Sequence, residues 1–323
     1  MRSIATLFVC APVLLAQATP VVQAVTNAGS NGPVSFNSLV SIWGQNLSAI
    51  TVSAATFPWP TTLGNTQVFF CDASNGSTAF WLSKVSQCAS AQLTYVSPKQ
   101  INAVLPDSPG SYVQPFTATV KLVSEGLTDN GTLTNAPLKF TILPLAPGFF
   151  RMGYDCPYPA NCSFSSTPSS TNSIARGSVI DQKGALITSQ NPIRVGQVYS
   201  AYLTGVGLHI TWGPSGPVHT GNLVDWPPFV SIGNPGTGNG DAKGVALWIG
   251  PSQSPGLYQI NFSLPDDLRR IFTAAGTSLP SCQSVSSDIS TELLFVASSN
   301  FASGFDQVSI PVFIGKSELA CGK

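Results

Sequence analysis

The sequence predicts an all-β chain: two tandem antiparallel β-sandwiches with disulfide-fastened insert loops. Three observations predict it: a turn-rich composition poor in charge, a succession of short strand-like runs, and an echo between the two halves. Gly 29 and Pro 26 among 323 residues, about one residue in six, imply many turns and few long helices. Hydrophobic residues at 43% are enough for a substantial core and too many for a disordered chain. Lys+Arg 14 balances Asp+Glu 14, giving a formal net charge of +0 with 9% charged residues. A nucleic-acid partner wants a basic face and an anionic membrane surface wants a polybasic one, so neither is expected.

The amino terminus has the three-part shape of a secretory signal peptide. Met1-Arg2-Ser3 carries one positive charge, Ile4 to Leu15 is almost wholly apolar, and Ala16-Gln17-Ala18 is a small-x-small site. Residues 1–18 are therefore set apart from the fold, with cleavage expected after Ala18 and Ala24 as second choice. Cys10 as a lipoprotein anchor is the minor alternative, because Phe8-Val9 rather than small residues precede it. The apolar run is too short to span ~30 Å of hydrocarbon, and no later stretch is long enough. The expectation is a secreted or cell-surface chain without a transmembrane segment.

Strand signals follow in order. Residues 36–44 end in Gly44, and 67–70, 93–96, 101–105, 116–123 and 138–143 have strand composition, with turn residues between them at intervals typical of a sandwich. Leu143-Pro144-Leu145-Ala146-Pro147-Gly148 is a junction, which places a first domain at 19–145 and a second at 146–323. Strand signals resume at 197–203, 229–232, 245–249, 257–264, 293–296 and 308–314. A short helix is expected over 266–274, where Pro265 precedes it and Asp266 and Asp267 occupy its first turn and complement its dipole.

The echo carries most weight. Gln100-Ile101-Asn102-Ala103-Val104-Leu105-Pro106 resembles Gln259-Ile260-Asn261-Phe262-Ser263-Leu264-Pro265 at an offset of 159. Upstream, Ile42-Trp43-Gly44-Gln45-Asn46-Leu47 resembles Tyr202-Leu203-Thr204-Gly205-Val206-Gly207-Leu208 at an offset of 161. Similar order and similar offset, twice, suggest two copies of one module.

Of the 7 cysteines, Cys10 lies in the leader. Cys71, Cys88, Cys156, Cys162, Cys282 and Cys321 remain, an even number that in an exported chain points to disulfides. Nearest-neighbour pairing would join Cys71–Cys88, Cys156–Cys162 and Cys282–Cys321. A zinc site wants close Cys/His pairs, and neither His209 nor His219 is near a cysteine in sequence.

A resemblance covers about residues 22–315. Val25-Thr26-Asn27-Ala28-Gly29-Ser30, Leu39-Val40-Ser41-Ile42-Trp43-Gly44-Gln45-Asn46-Leu47 and Pro60-Thr61-Thr62-Leu63-Gly64 come first. Tyr95-Val96-Ser97-Pro98-Lys99-Gln100-Ile101-Asn102 follows as the most specific block. Ala146-Pro147-Gly148-Phe149-Phe150, Asn191-Pro192, Thr204-Gly205-Val206-Gly207 and Gly256-Leu257-Tyr258-Gln259-Ile260-Asn261 complete the order. In these blocks the chain resembles the secreted bacterial proteins called the Solibacter uncharacterised C-terminal domain family. It departs from them in having Gly-Val-Gly at 205–207, and in placing its cysteines outside the blocks. The resemblance implies an exported, immunoglobulin-like architecture and no assigned reaction.

Candidates for chemistry are few. Nucleophilic hydrolysis needs a base beside a nucleophile. Only His209 and His219 are available and no Gly-x-Ser-x-Gly elbow occurs, so His219 is expected in a solvated turn and His209 as a packed or an edge residue. Glu125, Glu292 and Glu318 are the only glutamates, and the adjacent Asp266 and Asp267 would diverge on a helix rather than face each other as glycoside hydrolysis requires. The loop 233–241 is oxygen-rich, but Asp241 is its one charge, so a hairpin connection is preferred to a calcium site. No catalytic residue, metal or cofactor is assigned. Among the tryptophans, Trp43 and Trp248 are expected in the core, while Trp212, Trp226 and Phe229 in a Pro/Gly-rich stretch are expected to be exposed. Each Gln-Ile-Asn amide is expected to hydrogen-bond a neighbouring loop backbone and fix a corner. The expected function is non-enzymatic: an extracellular interaction or adhesion module whose partner is a protein or polysaccharide. The alternative is a carbohydrate-binding module using Trp212, Trp226 and Phe229.

Overall fold

The computed structural model describes residues 19–73, 88–106, 116–124, 127–128, 138–154, 175–206, 210–213, 216–219, 229–232, 246–264, 289–298 and 305–314. These residues are all β, without a helix. The expected signal peptide 1–18, the loop 233–241, the expected helix 266–274, His209, Trp226, Cys156, Cys162, Cys282 and Cys321 lie outside them.

The N-terminal strands are β1 (Val21–Asn27), β2 (Val34–Ser35), β3 (Leu39–Gln45), β4 (Val52–Ser53), β5 (Thr66–Asp72), β6 (Cys88–Ser90), β7 (Gln92–Val96), β8 (Gln100–Val104), β9 (Phe116–Ser124), β10 (Leu127–Thr128) and β11 (Lys139–Leu143). They form one sheet ordered β1-β3-β8-β7-β4 and another ordered β2-β11-β9-β5-β6, with β10 on β9. Pairing is antiparallel except for β2 on β11. The strand expected from residue 36 begins instead at Leu39. Asn37 sits at φ 51°, a left-handed conformation that asparagine tolerates and a strand cannot continue through.

Alternation explains the core. Val40, Ile42, Leu93, Val96, Ile101 and Ala103 of the first sheet and Val68, Phe70, Ala118, Val120, Leu122 and Ile142 of the second form one buried cluster. Fully burying a Val, Leu, Ile or Phe side chain contributes about 1.5–3 kcal/mol, so these inner faces hold the two sheets together. Cys71 and Cys88 are directly opposite on β5 and β6 and form a disulfide across a sequence separation of 17. A closed loop of that size stabilises by about 3 kcal/mol, mainly by restricting the unfolded chain. Reduction, or a Cys71→Ala/Cys88→Ala pair, is expected to lower stability by about that amount, measured as a fall in denaturant midpoint together with a steeper slope, because the unfolded chain without the cross-link exposes more surface.

The C-terminal strands are β12 (Gly148–Phe149), β13 (Arg151–Tyr154), β14 (Ala175–Gly177), β15 (Val179–Asp181), β16 (Val198–Thr204), β17 (Ile210–Gly213), β18 (Gly216–His219), β19 (Phe229–Ile232), β20 (Ala246–Pro251), β21 (Tyr258–Ser263), β22 (Ile289–Ser298) and β23 (Phe305–Ile314). One sheet runs β12-β16-β21-β20 with β15 also on β16, another runs β13-β14-β23-β22-β19, and β17-β18 is a separate ladder. Among the described residues, every ladder lies within 21–143 or within 148–314. His219, expected in a turn, lies in β18 opposite Ile210.

The two halves meet along a polar seam. Buried Asn27 donates through Nδ2 to Ala146 O at 2.8 Å and accepts at Oδ1 from the Gly29 and Ser30 amides at 2.8 and 3.2 Å. Asn37 Nδ2 donates to Tyr258 OH at 3.2 Å. Leu39 N donates to Thr204 Oγ1 at 2.7 Å, which in turn donates to Gly256 O at 2.5 Å. Gly205, at φ 81°, is packed against Ala146 O and the Asn27 amide.

Candidate functional site

The Gln-x-Asn strands of the echo, β8 and β21, occupy matching places. β8 lies between β3 and β7, and β21 lies between β16 and β20. In the first half Ser41 faces Asn102 and Trp43 faces Gln100. In the second Ser200 faces Asn261 and Tyr202 faces Gln259. Ser41 to Ser200 and Asn102 to Asn261 are both 159 residues apart. The upstream offset of 161 read from the glycines is therefore corrected. Gly44 lies inside β3 whereas Gly205 follows the end of β16, so the two glycines are not counterparts.

The third strand of each set repeats an irregularity. β7 slips register between Leu93 and Tyr95, which brings Tyr95 opposite Asn102. β20 slips between Ala246 and Trp248, which brings Trp248 opposite Asn261. A bulge adds one residue to one strand and re-aims the next side chain. Without it, Thr94 and Leu247 would occupy the places that Tyr95 and Trp248 take.

Side chains alternate across each sheet, and Val40, Ile42, Ile101, Ala201, Ile260 and Phe262 point to the core, so Ser, Gln, Asn and the aromatics share the opposite face. There the amides bond to one another. Ser41 Oγ and Gln100 Nε2 both donate to Asn102 Oδ1, at 3.1 and 2.8 Å. Ser200 Oγ and Gln259 Nε2 both donate to Asn261 Oδ1, at 2.8 and 2.7 Å, and Gln259 Nε2 also reaches Ser200 Oγ at 3.1 Å. The expectation that these amides fix loop backbone is corrected: they form a cross-strand triad.

An aromatic pair flanks each triad. Trp43 and Tyr95 do so in the first half, Tyr202 and Trp248 in the second, so indole and phenol exchange strands. Trp43 is 37% and Trp248 45% exposed, which corrects their assignment to the core. Trp43 Nε1 donates to Thr26 Oγ1 at 3.1 Å and the indole leans over β1. The Trp248 ring lies over Gly250, where any Cβ would collide with its carbons, and so it is held along the sheet beside Gln259, the partner of Gly250.

Of the residues singled out in the sequence as ligand contacts, Trp212 lies on β17 opposite Pro217 and Phe229 on β19 opposite Ser298. They are in different sheets. The structure describes no side-chain position for either. Among the described residues no three His, Cys, Asp or Glu side chains cluster as a metal site, and no helix is long and apolar enough to cross a membrane. The scan against protein-family models finds no match to this chain, and the search of curated proteins finds none.

Proposed function

We propose that the chain is a non-enzymatic, exported interaction protein, made of two copies of one immunoglobulin-like β-sandwich unit and acting outside the cell or at its surface. The observation that carries this reading is the repeated outer face: the same Ser, Asn and Gln in the same register, the same bulge, and an exposed tryptophan in each half. An inward repeat would follow from packing alone. A repeated outward face, with large aromatics left in water, is what a surface used for contact retains.

Export is supported separately. A disulfide belongs to an oxidising compartment, and Cys71–Cys88 is one. Cleavage after Ala18 fits the fold better than cleavage after Ala24, because Val21–Ala24 form half of β1 and Val22 is buried. The exported chain is expected to begin at Thr19. Amino-terminal sequencing of material from the medium or cell surface checks this, and a start at Val25 or an uncleaved terminus would count against it.

The test of the function uses the mature chain, fluorescently labelled. It is expected to bind the envelope or extracellular-matrix fraction of the producing cells saturably, in competition with unlabelled chain. Unsaturable binding, or none, would remove the interaction reading.

A further inference from the structure

We propose that each outer face is a binding platform for an uncharged polysaccharide, one around Trp43, Gln100, Asn102 and Tyr95, and the other around Tyr202, Trp248, Gln259 and Asn261. The proposal deepens the interaction reading and rests on it.

The hydrogen-bond inventory comes first. In each triad the Asn Oδ1 is taken by two donors. Asn102 Nδ2 and Gln100 Oε1 have no protein partner among the described residues, and neither have Asn261 Nδ2 and Gln259 Oε1. An amide offers two N–H donors and a two-lone-pair acceptor, so each face presents a fixed donor beside a fixed acceptor. A sugar hydroxyl both donates and accepts, and a pair of them on a pyranose ring can satisfy such a donor–acceptor pair together. The triad bonds hold the amides in place beforehand, which lowers the ordering cost of binding.

The aromatics supply the other half of sugar chemistry. The C–H face of a pyranose is apolar and packs on an aromatic ring, while its hydroxyls point sideways to polar neighbours. Trp43 directly faces Gln100 across β3 and β8. Trp248 directly faces Asn261 across β20 and β21 and is pressed along the sheet by Gly250. The Trp248 ring therefore lies beside the Gln259 amide, while the Trp43 ring extends the first face over Thr26 on the far side of β3 from Gln100.

Charge selects among ligands. The rows Thr26–Ser41–Asn102–Tyr95–Ser53 and Ile180–Ser200–Asn261–Trp248, with Trp43, Gln100, Tyr202 and Gln259 beside them, carry no carboxylate, ammonium or guanidinium. An anionic polymer would meet no counter-charge here. A neutral glycan loses nothing by that.

Native gels cast with hydroxyethylcellulose, glucomannan, mixed-linkage β-glucan or dextran test the proposal, with alginate as the anionic control. The mature chain is expected to be retarded by at least one of the four neutral polymers, equally at low and high salt. Trp43→Ala and Trp248→Ala are each expected to weaken retardation about tenfold, and together to abolish it. Both residues are exposed, so the thermal midpoints of the variants should stay within a few degrees of wild type. Retardation by none of the four overturns the proposal. So does retardation unchanged in the double variant, retardation by alginate alone, or a concentration-dependent dimer that the double variant dissolves. If glycan binding fails while saturable envelope binding persists, the interaction reading stands and only the ligand class falls.

Discussion

Gly205→Ala is expected to destabilise the chain by about 4 kcal/mol, which for a chain of this size lowers the thermal midpoint by roughly 10 °C. Two costs add. At φ 81° a residue with a Cβ pays about 1–2 kcal/mol of backbone strain. The new Cβ would also run into Ala146 O and approach Asn27 Nδ2 to 2.9 Å. The carbonyl is backbone, held by Asn27 at 2.8 Å, and Ala146 N donates to Gly205 O at 2.9 Å. Relief therefore requires the junction between the halves to shift. The control is Gly184→Ala: φ is 77° there, but nothing lies within 4 Å of the added Cβ. It should pay only the strain, about 1 kcal/mol. Equal losses for the two variants in denaturant melts would show that Gly205 is not under close contact.

Asn27→Ala is expected to cost about 3 kcal/mol. Asn27 is 0% exposed, and its removal strands Ala146 O and the amides of Gly29 and Ser30, each losing a partner. An orphaned buried polar group costs about 1–3 kcal/mol, and small movements that admit water keep the sum below the maximum. Asn27→Asp should be at least as damaging, since it loses the donor and buries a charge. Because Asn27 and Gly205 touch the same carbonyl, their effects should not add. The double variant is expected to fall short of the sum by about 1 kcal/mol. Strict additivity would mean that the seam is not one unit.

Much of this fold was legible because its signal is local. Short apolar runs between turn residues located most of the long strands to within a few positions, though not β1 (Val21–Asn27), and the Gln-Ile-Asn echo located the central strands β8 and β21. Misreadings arose where strand membership was known but the face was not. Trp43 follows Ile42, and if Ile42 points inward the next residue points out. The apolar pairs Leu39-Val40 and Ile42-Trp43 blurred that alternation. For Trp248 the face depends on the bulge at Leu247, a one-residue irregularity that no composition signals. The cross-strand partners of the amides, Ser41 and Ser200, lie 61 residues away in sequence, beyond the reach of any local pattern. Gly44 and Gly205 do not mark the repeat, because one lies inside β3 and the other past the end of β16, while register is set by which residues face each other.

The account depends most directly on the outward register of both central strands. Cross-strand nuclear Overhauser contacts in the isotope-labelled mature chain measure it. The expected contacts join Ser41 and Tyr95 to Asn102, and Ser200 and Trp248 to Asn261. A register slipped by one residue in either half would turn that Gln and Asn toward the core and contradict the account.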